Sequence, residues 1–324
     1  MTDSEIIKIV ANKNKLVLNR EPARFTSGFV NHVYDLDKFV LKIEDGSEYY
    51  KGILKPQGAV LGKLINAGAK VPKVFDTGDL EGRFYVLMEK VPGTNLSYDW
   101  LKFNLVEKES FIEQIAQQMQ IFHSIKFDTY AITILAKKRF KNLRDSVANF
   151  VNFKKIDKTK LKKEFVADVE FLESFFEKNM HILNEHNTAV LVHTDISLEN
   201  VFYQSNKIAG IIDWDWACQA PKDYELWEIS DAFYNPKRRV EDQLKPFYEG
   251  YQMTEEFGFL KKYYPAMFAT PNLINRIRIF IMDDLIDRFV YYQNGKATES
   301  LLVETQRQIK DFYKEDWLSK CLNY

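Results

Sequence analysis

LVHTDISLENVFYQSNKIAGIIDWD, residues 191–215, decides how the rest of the chain is read. An apolar run leads into His193-Thr194-Asp195, Asn200 follows, and the strand-like run Ile208 to Ile212 delivers Asp213. The pattern is H-x-D-x-x-x-x-N, an apolar strand, then Asp. Phosphoryl transfer from a nucleotide uses this set: one carboxylate to receive a hydroxyl proton, and an amide with a second carboxylate to hold magnesium.

Composition narrows what can surround this stretch. The 324 residues are 46% hydrophobic and 28% charged with a formal net charge of -1, an ordinary soluble balance whose length suggests two lobes. Near-zero charge argues against nucleic acid as the main partner, since phosphate backbones demand a basic surface. Cys218 and Cys321 form no metal-ligand spacing and fit a reducing compartment. The N-terminus MTDSEIIKIVANKNK has no long apolar segment, and no run approaches the roughly 18 apolar residues of a membrane span. Neither a signal peptide nor a membrane partner is expected, and a cytoplasmic location is.

Upstream of the central stretch, residues 4–12 read as a short amphipathic helix through Ile6, Ile7 and Val10. Strand-like segments follow at Leu16 to Phe25, Phe29 to Leu36 and Phe39 to Glu44. In the turn FTSGFVNHVY, Gly28 lets backbone approach a phosphate and Ser27 supplies a donor, although a plain hairpin turn uses glycine in the same way. Lys42 lies between Leu41 and Ile43, where its side chain either meets solvent or reaches nucleotide phosphates. Pro56 opens a helix over 56–67, Gly68 ends it, and strands fit Val74 to Thr77 and Arg83 to Met88. Three strands, a helix and two strands make a small antiparallel sheet.

Pro92-Gly93 breaks regular structure and marks the expected boundary between residues 1–91 and 92–324. Beyond it the pattern is mostly helical. A stripe through Phe111, Ile115, Met119 and Phe122 defines a helix over 107–125 that ends at His123, a residue better suited to a hydrogen-bonded core than to catalysis. Residues 136–186 read as a helical insertion around KKIDKTKLKK. Pro221 can open a helix reaching Phe233, and further helices fit 240–252, 255–264, 271–293 and 298–318.

HTDISLENVF, then IAGIIDWDWA, then PKDYEL resembles the aminoglycoside phosphotransferase family, within the wider protein-kinase-like fold. SGFVNHVYDL, FVLKIE, NAGAKVPKVFDTG and FYVLMEKVPGTNL appear in that family's order, so the likeness covers roughly residues 15–230. It implies an α+β two-lobe architecture, with a small antiparallel-sheet N-lobe carrying one main helix and a larger, mostly helical C-lobe. It also implies an ATP- or GTP-dependent kinase acting on a small-molecule hydroxyl. Asp195 matches the catalytic Asp, Asn200 and Asp213 the Mg²⁺ ligands, and Lys42 the phosphate-binding Lys. Backbone from Ser27 through Gly28 to Asn31 would cover the phosphates. Met88 would sit behind the adenine, with the Glu89 carbonyl and Val91 amide on its edge. His193 would support the loop.

Three positions depart from the family pattern. Gln57 stands where a Glu usually pairs with the strand Lys, so Glu44 or Glu48 could substitute, Gln57 could suffice, or activity could be weakened. Thr194 replaces a common Gly, and Leu198 a Pro. The acceptor is less legible. Asp283, Asp284 and Asp287 lie in a late apolar helix, where Asp283 and Asp287 share a face that would suit a cationic amino sugar, or else form a solvated face partly paired with Arg288. Trp214, Trp216 and Trp227 fit either a stacking wall or core. Kinases of choline, homoserine or fructosamine type, and a catalytically silent nucleotide-binding protein, are alternatives. A protein kinase is disfavoured because WDWACQAPKDYEL contains no D-F-G and no activation loop.

Overall fold

The computed structural model describes residues 1–25, 31–47, 51–125, 153–184, 186 and 188–322. Helix α1, Asp3–Lys13, begins at a reciprocal cap in which the Glu5 amide donates to the Thr2 hydroxyl and the Thr2 amide to the Glu5 carboxylate. Its Ile6, Ile7 and Val10 cover one face of a five-stranded antiparallel sheet. The strands are β1 (Ala23–Arg24), β2 (Asn31–Leu36), β3 (Phe39–Glu44), β4 (Val74–Leu80) and β5 (Arg83–Glu89), in the order β1-β2-β3-β5-β4. Alternation sorts β3. Leu41 and Ile43 pack beneath α1 with Leu36, Tyr85 and Leu87, which turns Lys42 and Glu44 to the opposite face with Val86 and Met88. Helix α2, Gln57–Asn66, packs on β4 and is the main helix of this lobe.

The strand expected over Leu16 to Phe25 forms only at Ala23–Arg24. Lys15 takes a left-handed φ of 52° and the Leu16 amide returns to the Ala11 carbonyl, so the chain turns out of α1 before it can pair.

Gly93, at φ +89°, carries the chain out of this sheet. A Cβ there would lie 2.0 Å from the Tyr203 carbonyl oxygen, so only glycine fits. β6 (Thr94–Asn95) then pairs with β8 (Val201–Gln204), and β8 with β9 (Lys207–Ile211). A second ladder joins β7 (Ala189–Val192) to β10 (Cys218–Pro221). The segment from His193 to Asn200 therefore links β7 to β8, and residues 212–217 link β9 to β10. Two small sheets thus hold both of these loops at their ends.

Helices enclose this centre. In α3 (Leu105–Ser124) the stripe Phe111, Ile115, Met119 and Phe122 is buried in the large core, together with residues of α4 (Lys163–Asn179), α5 (Glu225–Tyr234), α6 (Thr254–Tyr263), α7 (Leu273–Gln293), α8 (Glu299–Ile309) and α9 (Trp317–Leu322). The helix expected over 240–252 is absent. Short 3-10 turns occupy Pro236–Arg239 and Lys245–Tyr248, because Pro246 lacks an amide and Gly250 takes φ +71°. Pro221 ends β10 rather than opening a helix, and α5 begins after a 3-10 turn at Lys222–Tyr224. A π turn at Lys310–Lys314 separates α8 from α9 where one helix was expected. Residues 136–152 and 185 of the expected helical insertion lie outside the described residues; α4 is its described α-helix. No described helix is long and apolar enough to cross a membrane.

Candidate active site

The loop after β7 is built around a fully buried carboxylate, Glu225 at the start of α5. Its two oxygens accept from the His193 and Thr194 amides, each at 2.7 Å. Thr194 sits at φ +64°, a left-handed conformation that a β-branched residue adopts only when its surroundings impose it. Thr194 is further fixed by its hydroxyl, which donates to the Trp216 carbonyl at 2.9 Å. The His193 Nδ1 accepts from the Asp195 amide at 3.2 Å, which leaves the proton on Nε2 to donate to the Ile212 carbonyl at 2.8 Å. Burial lowers the pKa of this imidazole and keeps it neutral. Trp214 packs edge-on against His193, with centroids 4.4 Å apart, and against Phe122, and it donates to the Ile211 carbonyl. Trp214 is therefore core, and so is His123, whose Nδ1 lies 3.0 Å from the Tyr264 hydroxyl.

These contacts present Asp195. The Asn200 amide nitrogen donates to the Asp195 carbonyl at 2.9 Å and to its Oδ2 at 3.0 Å, while Arg239 Nη1 donates to Oδ1 at 3.3 Å. Burial, with Asp213 nearby, pushes the Asp195 carboxyl up to about 7 against the opposing pull of Arg239. Arg239 is shared: its Nη2 reaches Glu228 Oε2 at 2.6 Å and Asp231 Oδ2 at 3.2 Å. Burial resists ionisation of Asp231, but Arg238, Arg239 and Arg288 outweigh it and hold the carboxyl down at about 2. Burial, together with Glu241 and Asp195, lifts Glu199 to about 7. Sequence reasoning missed Arg239, Glu228, Asp231 and Glu199. Arg239 immediately precedes a segment that reads as helix but turns back at Pro236–Arg239, so no local pattern announces it.

Lys42 arrives from the other lobe. It is buried, and its Nζ donates to Asp213 Oδ1 and to Asp215 Oδ1, each at 2.7 Å. Gln57 Nε2 also donates to Asp215 Oδ1, and Asn31 Nδ2 to Asp215 Oδ2 at 2.6 Å. The partner of Lys42 is thus not Glu44, which instead accepts from the Leu54 and Phe84 amides at 3.3 Å. Glu48 lies outside the described residues, as do Ser27 and Gly28. Asp215 was unrecognised in the sequence although it stands in the quoted IIDWD, where the tryptophans drew the reading. Asn31 is the described end of the expected phosphate-covering turn, and it contributes a side chain rather than only backbone.

Met88 is buried with Ile53, Leu54 and Val86, and Trp216 packs against the same group. The Glu89 amide donates to the Lys73 carbonyl and the Lys90 amide to the Lys38 carbonyl. Those bonds use neither the Glu89 carbonyl nor the Val91 amide, the two groups expected at an adenine edge. Val91 packs on Gly210, where a Cβ would come within 2.9 Å of Val91 Cγ1.

The oxygens suited to a hard cation are few. Among the described residues no group of three or more His, Cys, Asp or Glu is poised to hold a metal. Asn200 donates its amide nitrogen to Asp195, which turns its carbonyl oxygen away from that bond, and the Asp213 side chain remains 38% exposed. Two oxygen donors fit magnesium, which takes one or two protein ligands and completes its shell with water and phosphates. In the late acidic helix, Asp284 pairs with Arg288.

Known structures share this fold. A search of curated proteins by sequence found no match. Among solved structures, the streptomycin-ATP ternary complex of APH(2'')-IIa shares 18% identity with a TM-score of 0.67, covering 96% of this chain and 97% of that one. The GDP complex of wild-type aminoglycoside 2'-phosphotransferase-IIIa shares 17% with a TM-score of 0.68, covering 100% and 99%. The GDP and kanamycin complex of APH(2'')-IIIa shares 18% with a TM-score of 0.64, covering 98% and 96%. The phosphotransferase enzyme family matches residues 22–263, most of the sequence and every residue of the two loops around Asp195 and Asp213. With its kinase-like fold and that match, the chain belongs to the phosphotransferase enzyme family.

Proposed function

We propose that this enzyme transfers the γ-phosphoryl group of ATP or GTP to a hydroxyl of a small molecule, with Asp195 as the residue that orients the hydroxyl and takes its proton. The observation that carries this reading is the placement of Asp195. One carboxylate oxygen is held by Asn200 and the other faces Arg239, on a loop braced by Glu225. A carboxyl lifted to about 7 accepts a proton near neutral pH better than an ordinary Asp does. As the acceptor oxygen bonds to phosphorus, its proton passes to Asp195 and the bridging oxygen leaves with the nucleoside diphosphate. Lys42 supplies positive charge for the phosphates, and Met88, Glu89 and Val91 bound the adenine position. Asn200 and Asp213 would hold magnesium, which when bound neutralises phosphate charge. Residues 1–91 serve the nucleotide and 92–324 the acceptor.

For the acceptor, a cationic amino sugar fits best. Asp195, Glu228, Asp231 and Asp284 all act electrostatically on Arg239, and this acidic cluster around Asp195 supports a cationic acceptor. Structural relatives in complex with streptomycin and kanamycin point the same way. On this reading the enzyme works in the cytoplasm and its biological role is antibiotic resistance. The test is nucleotide consumption by the purified chain with Mg²⁺ against a panel of aminoglycosides, other amino sugars, choline and homoserine. Turnover with an aminoglycoside that Asp195→Ala abolishes is expected. Turnover only with choline or homoserine would replace the acceptor, and none with any hydroxyl compound would overturn the reading.

A further inference from the structure

We infer that Asp215 is the positioning carboxylate for Lys42, and that Gln57 is neutral because the charge expected at its place in α2 stands on Asp215 instead. The inference rests on the nucleotide-binding half of the proposed function and needs no identified acceptor.

Every donor on Asp215 named above comes from the N-terminal lobe: Asn31 from β2, Lys42 from β3 and Gln57 from α2. Asp215 itself sits between β9 and β10. Lys42 and Gln57 share one acceptor, Oδ1, so position 57 lies next to the ammonium without touching it through an acid. Both amides are turned by this carboxylate. With their nitrogens on Asp215, the Gln57 and Asn31 carbonyl oxygens are left buried and without a hydrogen-bond partner among the described residues. An orphaned buried carbonyl is unfavourable, so the bond to Asp215 decides the orientation of each amide. A Glu at 57 would place a third carboxylate beside Asp213 and Asp215 around a single ammonium, and like charges held so closely oppose ionisation. A Glu at 57 facing an uncharged residue at 215 would instead rebuild a lysine–glutamate pair. Acid at 215 and amide at 57 are therefore two halves of one arrangement that can be exchanged.

The experiment uses the full chain and titrates a fluorescent ATP analogue, with and without Mg²⁺, into wild type, Asp215→Asn, Gln57→Glu and the double variant. Thermal melts run alongside. Each single variant is expected to weaken binding by about tenfold, the equivalent of roughly 1.4 kcal/mol. The double variant is expected to regain most of that loss. On the proposed function Lys42 meets phosphate directly, so the loss should persist without Mg²⁺. Unchanged binding in both single variants overturns the inference, and so does a double variant no better than Asp215→Asn. A loss confined to the Mg²⁺ titration also overturns it, since that pattern marks Asp215 as a metal ligand. If Asp215→Asn fails to fold, Gln57→Glu and the double variant still decide the matter by their order of affinity. Failure of the proposed function is separable, because it appears as tight nucleotide binding without turnover.

Discussion

Glu225→Gln is the sharpest probe of how the catalytic loop is held. The substitution keeps size and removes charge. In the native arrangement two backbone amides, of His193 and Thr194, each donate at 2.7 Å to one oxygen of a fully buried carboxylate. Glutamine offers one oxygen and one NH₂ group. One backbone amide keeps an acceptor, now neutral, and weakens by about 1 kcal/mol, since bonds to charged groups contribute roughly 1.5–3 against 0.5–1.5 for neutral ones. The other faces a donor and is left unsatisfied in the core, at about 1–3 kcal/mol. The sum is about 2–4 kcal/mol, a large share of the roughly 5–15 kcal/mol that holds a domain together. Turnover should fall as well, because Asp195 follows directly on Thr194, whose φ of +64° depends on these bonds. Urea unfolding followed by tryptophan fluorescence gives the stability, with Trp214 against His193 as a local reporter. A loss under about 0.5 kcal/mol with normal turnover would refute the assignment of Glu225 as the brace.

Three further outcomes can be checked on the same protein. Asp195→Ala should lower turnover by about 10²–10⁴ while leaving the melting temperature within a few degrees, as kinetics and calorimetry on one preparation would show. Arg239→Ala leaves Glu228 and Asp231 without this cation; breaking a buried pair costs about 3–5 kcal/mol, and at 28% side-chain exposure about 2 is expected in urea unfolding, with Arg239→Lys recovering only part because it lacks the planar fork. At Asp3, burial resists ionisation, but hydrogen bonds from Tyr34, Arg83 and His32 outweigh it and hold the carboxyl down at about 2. A folded pKa below the unfolded one gives stability that is present in full above about 4 and lost as pH falls through about 2, so Asp3→Asn should lower stability by about 1 kcal/mol at pH 7, after discounting for partial exposure, and by progressively less across that acid window. An equal loss throughout would show that the charge is not involved.

The parts of the candidate site carried by one local pattern were legible in the sequence. His193, Asp195, Asn200 and Asp213 lie in one stretch, and the fold brings their two loops side by side, with His193 donating to the Ile212 carbonyl. Lys42 and the ends of α2, β3 and β5 were legible too, through strand alternation and through Pro56 and Gly68. What escaped depends on partners far away in the chain. Glu225 and Arg239 touch the loop only because α5 and the turn after it fold back on it, and nothing local marks an acid at 225 as buried. The partner of Lys42 was sought on neighbouring N-terminal elements, at Glu44, Glu48 and Gln57, whereas the fold supplies it from beyond β9. The segments 16–22 and 240–252 misled for a plainer reason. Their apolar residues fit a strand and a helix, but Lys15 and Gly250 take positive φ and Pro246 withholds an amide, so backbone geometry overrides the pattern.

Two independent supports meet in this site. Asp195 is held from within the C-terminal lobe, by Glu225, His193 and Asn200. Lys42 is held across the lobes, by Asp213 and Asp215. A kinase needs both in one frame, because proton removal at the acceptor and charge neutralisation at the phosphates act on a single transition state. The supports touch through His193, which donates to the Ile212 carbonyl next to Asp213, and through Thr194, whose hydroxyl donates to the Trp216 carbonyl one residue beyond Asp215. Glycine at 194 would relieve the left-handed backbone and delete that bond. Valine would keep the shape, lose the bond and retain the strain. Of these three residues only threonine supplies the hydroxyl while Glu225 enforces the conformation, so the strained residue adds to the His193–Ile212 bond a second tie between the loop carrying Asp195 and the loop that clasps Lys42.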